Sequence, residues 1–96
     1  MNSANVLTSF MAAIQKDPRI SISHIGLFAT LAALWQKQPG KAYLELYSKQ
    51  VMSVAKISSS ATYHKLIHDL DNYGYVSYEP SYYKGRASRI SINIKP

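Results

Sequence analysis

The sequence predicts one α+β domain, a small helical bundle that contains a helix-turn-helix and is closed by a C-terminal β-hairpin. Three observations carry this. Apolar residues recur at helical spacing through four segments up to Tyr73. The two apolar segments after Gly74 alternate with period two instead. A three-residue interval, Ile57-Ser58-Ser59, separates the third helical segment from the fourth. With 96 residues, 47% apolar and 17% charged, the chain has the composition of a folded protein and the length for one domain over 1–96.

The elements follow in order. Asn5 to about Gln15 is expected to be a helix, because Val6, Phe10 and Ile14 fall at i, i+4 and i+8, with Leu7 and Met11 widening the stripe. Asp17-Pro18 ends it, since the residue before proline avoids helical angles. A second helix spans about Ser23 to Gln36, capped by Ser21 or Ser23 and stopped by Pro39-Gly40. Leu27, Phe28, Leu31, Leu34 and Trp35 form its apolar face, which suits the central helix of a bundle. Lys41 to Tyr47 alternates weakly, as a short strand does, with Ala42, Leu44 and Leu46 on one side. Ser48 is the expected N-cap of a third helix closing near Lys56, and Ser59 that of a fourth ending near Tyr73.

In the fourth helix Tyr63, Ile67 and Leu70 face inward, with Leu66 beside them, and Gly74 supplies the stop. Two strands are expected after it. Tyr75–Glu79 carries Val76 and Tyr78 on one face, and Arg89–Ile94 turns Ile90, Ile92 and Ile94 inward. Residues 80–88 join them, with Gly85 at the turn.

Eleven Lys and Arg against five Asp and Glu give a net charge of +6, which points to a polyanionic partner, nucleic acid first and an anionic membrane surface second. No signal peptide is read at the start. The apolar stretch 25–35 is internal and shorter than the roughly 20 residues a spanning helix needs, so a cytoplasmic protein without membrane insertion is expected. The absence of cysteine excludes disulfides and thiolate metal sites. No Gly-rich phosphate loop or paired carboxylates appear, and the chain is not expected to be an enzyme or to carry a cofactor.

The run Val51-Met52-Ser53-Val54-Ala55-Lys56-Ile57-Ser58-Ser59, followed by Tyr63, Ile67, Leu70 and Gly74-Tyr75-Val76, resembles the winged helix-turn-helix superfamily of transcription regulators. MarR-like and PadR-like regulators and the N-terminal domains of replication initiators share this order: helix, turn, recognition helix with a leucine four residues before a glycine, then strand, wing and strand. The resemblance covers about 21–95 and implies a winged-helix core, leaving 1–18 as an extra N-terminal helix. It implies sequence-specific binding of double-stranded DNA by a small transcriptional regulator or mobile-element accessory factor. Helix 59–73 would lie in the major groove and loop 80–88 on flanking DNA.

The residue chemistry agrees. Ser59, Ser60 and Thr62 are small hydroxylic groups at the first turn of the fourth helix, and His64, Lys65 and His68 stand on its outward side. Lys84, Arg86 and Arg89 add positive charge after Glu79, beyond which no acidic residue occurs. These nine residues are the expected DNA contacts.

Other readings stand beside these. Lys84, Arg86 and Arg89 also suit a charged strand edge that discourages aberrant pairing, and Tyr82 and Tyr83 either pack or stack on bases. His64 and His68 have the i, i+4 spacing of a zinc pair, but no third ligand is evident and no metal is expected. The stripe on the N-terminal helix covers either its own domain or a second copy, and the latter predicts a homodimer on a palindromic site. The rival function is a winged-helix adaptor that binds protein rather than DNA.

Overall fold

The computed structural model describes residues 3–38, 40–81 and 86–94. In chain order the elements are α1 (Ser3–Ala13), a 3-10 turn (Ile14–Lys16), α2 (Ile22–Gln36), β1 (Leu44–Leu46), α3 (Ser48–Ala55), α4 (Ser60–Asn72), β2 (Val76–Glu79) and β3 (Ser88–Ile92). The fold is therefore α+β, with four α-helices and one antiparallel sheet of three strands ordered β1-β3-β2 among the described residues. The last strand inserts between the first two: Leu44 pairs with Ile90 and Leu46 with Ser88, while Val76 pairs with Ile92 and Glu79 with Arg89.

One face of that sheet is covered and the helices supply the cover. Leu44, Leu46, Val76 and Ile90 join Leu27, Phe28 and Leu31 of α2, Val51 of α3, and Tyr63, Leu66, Ile67 and Leu70 of α4 in a single core. The apolar α2 packs against α1, α3 and α4, the central place expected for it. Leu34 and Trp35, expected on its inner face, are only half-buried, and the Trp35 indole N–H donates to the Lys41 carbonyl at 3.2 Å.

The stripe on α1 is covered by its own chain. Val6 and Phe10 are fully buried, and Leu7 and Ile14 pack against the same core. The Phe10 ring stacks on Phe28 at 3.9 Å between centroids and meets Tyr75 edge-on at 5.2 Å. Of the two covers open to this stripe, the structure shows the chain's own domain, so the stripe gives no support to a homodimer. Of the stripe, only Met11 is exposed, at 37%.

The ends of the helices account for the remaining shifts of boundary. Ser48 is not the cap of α3 but its first residue; Tyr47, still extended from β1, takes the N-cap position and makes no side-chain capping bond to the helix. Lys56 closes α3 in the left-handed region at φ 62°, letting the Ile57 N–H reach the Met52 carbonyl at 2.9 Å. Gly74 does the same after α4 at φ 87°, where the Tyr75 N–H bonds Leu70 and the Gly74 N–H bonds Asp71. Tyr75 is used in that terminator, so β2 starts one residue later than expected. The expected turn at Gly85 and the loop residues Tyr82, Tyr83 and Lys84 lie outside the described residues.

A polar clasp ties the α1–α2 connection to the end of α4. The Asp17 carboxylate accepts two bonds from the Arg19 guanidinium, at 2.8 and 2.9 Å, and one from the Tyr75 hydroxyl at 2.6 Å. Arg19, expected as plain surface, lies 4.0 Å over the Tyr73 ring. The Arg19 and Tyr75 bonds hold the Asp17 carboxyl far below the usual carboxylate range.

Because Phe10 is enclosed by its own domain, Phe10→Ala is expected to cost stability and not association. Truncating a buried phenylalanine costs about 3–5 kcal/mol. Thermal melting of the variant should show that loss, while sedimentation of both proteins should give the same oligomeric state.

Candidate nucleic-acid interface

The helical period divides α4 into two sides. Tyr63, Leu66, Ile67 and Leu70 are buried, and the opposite line is Ala61, Lys65, His68 and Asn72, all exposed. Ser59 caps the helix by accepting the Thr62 N–H at 3.3 Å, as its position predicts, and both residues remain exposed. Next to them Ser60 meets His64 in two ways. The His64 Nδ1 donates to the Ser60 carbonyl at 2.8 Å and lies 3.3 Å from the Ser60 hydroxyl. A carbonyl only accepts, so Nδ1 carries the proton and Nε2 is left as the other polar atom of the ring.

On the far flank of α4 the Lys65 ammonium donates to Asp69 Oδ2 at 3.0 Å. That oxygen also accepts from Nε2 of His24 at 2.8 Å. His24 is buried and Nδ1 accepts the Ser21 backbone N–H at 2.9 Å, so this ring uses its opposite nitrogen as the donor. The bonds from His24 and then Lys65 hold the Asp69 carboxyl below its ordinary value, and the same contact raises Lys65. Asp69 thus stays ionised and Lys65 stays a cation, with 73% of its side chain exposed.

On the near flank, α4 and the strands enclose an open cleft of about 760 Å³. His64 and His68 form the α4 wall. Tyr47, Ser48 and Lys49 enter from the start of α3, Tyr78, Pro80 and Ser81 from the end of β2, and Arg86 and Ser88 from the approach to β3. The His68 ring stands edge-on to Tyr78 at 5.3 Å. Two permanent cations from different elements face this space, and no carboxylate is among its lining residues.

The expected contacts are therefore only partly brought together. Ser59, Ser60, Thr62, His64, Lys65 and His68 share the exposed side of α4, and Arg86 joins His64 and His68 across the cleft. Arg89 does not join them. It alternates with the buried Ile90 on β3, which turns it to the outer face of the sheet. There its guanidinium lies 4.9 Å over the Tyr43 ring, between strand neighbours Glu45 and Glu79. Lys84 is outside the described residues. Among those residues His64 and His68 gather no third metal-ligating group.

Three residues of this surface were missed by the sequence reading. Lys49 sits two positions before the buried Val51, so the amphipathic pattern of α3 was the available signal for it. Asn72 extends the line Ala61, Lys65, His68 by four residues, and the same period could have found it. Tyr47, 52% exposed, was read only as part of a strand.

The chain matches no family model, no curated protein and no solved structure.

A depressed carboxylate stabilises the fold fully above its unfolded value, here the ordinary 3.8, and ceases to do so as pH falls through the lowered folded value. Asp69→Asn is therefore expected to lower the denaturant midpoint at pH 7, and the gap between variant and parent should close below about pH 4. Urea titrations of both proteins at several pH values check this.

Proposed function

We propose that the protein is a winged-helix-type binder of double-stranded DNA, acting as a small transcriptional regulator or accessory factor. In this reading the exposed side of α4 enters the major groove. The observation that carries it is the cation-faced, carboxylate-free cleft beside that helix, with Lys49 and Arg86 on two walls and His64 and His68 on a third. Phosphates are the natural occupants of such a surface, and a helix fits the width of the major groove. The line Ala61, Lys65, His68 and Asn72 then faces the base edges, where a small residue admits close approach and the three longer ones offer donors and acceptors. The order β1-β3-β2 supports the reading, since it leaves α4 and the hairpin on adjoining sides of one cleft.

Fluorescence anisotropy with labelled duplex at two salt concentrations tests this. Affinity should fall steeply with salt, because each neutralised phosphate releases condensed counterions. Lys49→Ala combined with Arg86→Ala should weaken binding to matched and mismatched sequences alike and reduce the salt slope by up to about two. Arg89→Ala should leave both quantities as they are, given its place between two glutamates on the outer sheet face. Absence of binding to any duplex from a random pool at low salt overturns this reading and favours the adaptor for other proteins.

A further inference from the structure

Resting on the duplex reading, we propose that the cleft between α4 and the strands accommodates an unpaired nucleotide, so that the preferred partner is a duplex continuing into a single strand. Size is the first argument. At about 760 Å³ the cleft is in the ~300–1,000 Å³ range that encloses a whole drug-sized molecule. A single backbone phosphate is too small to fill it, and the bases of an intact duplex are stacked and paired, out of its reach.

Chemistry is the second argument. Lys49 and Arg86 supply charge for a phosphate from opposite elements, and Ser48 adds a hydroxyl. Tyr47, His68 and Tyr78 supply ring surface in the same space, with Tyr47 half open to solvent and His68 and Tyr78 set edge to face at 88°. Basic groups interleaved with aromatic rings are what an unstacked base and its phosphate require, and base stacking on such rings is tolerant of sequence. A cationic or purely apolar ligand class fits less well: the walls carry Lys49 and Arg86 and no carboxylate.

Position is the third. The cleft opens beside the exposed side of α4, so a strand leaving a groove-bound duplex reaches it without crossing the domain.

The intact protein is titrated into fluorescein-labelled probes of one sequence: a blunt duplex, the single strand, and the duplex with a short thymidine tail. The tailed duplex should bind about fivefold or more tighter than the blunt one, the factor expected when one base gains ~1 kcal/mol or more by stacking. Tyr47→Ala should bring the tailed-to-blunt ratio toward one, and Tyr47→Phe should keep it, since the ring and not the hydroxyl stacks. A ratio of one for the parent protein overturns the proposal, as does a ratio that Tyr47→Ala leaves unchanged. Saturable binding of deoxyadenosine monophosphate together with a ratio of one assigns the cleft to a free nucleotide and overturns the strand. Failure of all three DNA probes to bind removes the duplex reading itself.

Discussion

Strand β3 lies between its two partners with only one of its faces against the core, and most of the candidate surface depends on that constraint. With Ile90 fully buried, strict alternation sends Arg89 to the outer face and leaves Ser88 on the side of the cleft. Three successive positions therefore serve three surroundings. The cation that lines the cleft with α4 is Arg86, ahead of the strand, and the one on the strand lies between Glu45 and Glu79 in the register. A slip of register by one residue would exchange these roles and bury an arginine.

Much of the fold was legible in the sequence because periodicity reports burial directly. The spacing of Tyr63, Ile67 and Leu70, the cap at Ser59 and the stop at Gly74 placed α4 within a residue of its bounds. The alternation around Leu44 and Leu46 likewise named the buried side of β1. Both signals are local: they need only the residue's own element to have a wet side and a dry one.

The remainder depended on what lies across the core. The stripe of α1 was equally compatible with its own domain and with a second copy until Phe28 and Tyr75 were seen against Phe10. The basic residues 84, 86 and 89 form a cluster along the chain, yet neighbours on a strand look in opposite directions, so proximity in sequence overstated proximity in space for Arg89. Lys49 erred the other way, distant in sequence from α4 and adjacent to it in the cleft. Charge has no period of its own, and its location is inherited from the apolar residues beside it.

His24 has a consequence for how the domain assembles. One imidazole completes the capping box at the start of α2, through the Ser21 N–H, and anchors α4 through Asp69, 45 positions further along the chain than His24. The nitrogen that serves the cap must be bare and the nitrogen that serves the anchor must carry hydrogen, so a single tautomer satisfies both. Initiation of α2 and docking of α4 are thereby linked through one ring: an isolated α2 peptide lacks the acceptor that favours this tautomer. The beginning of the central helix and the anchoring of α4 thus share one side chain.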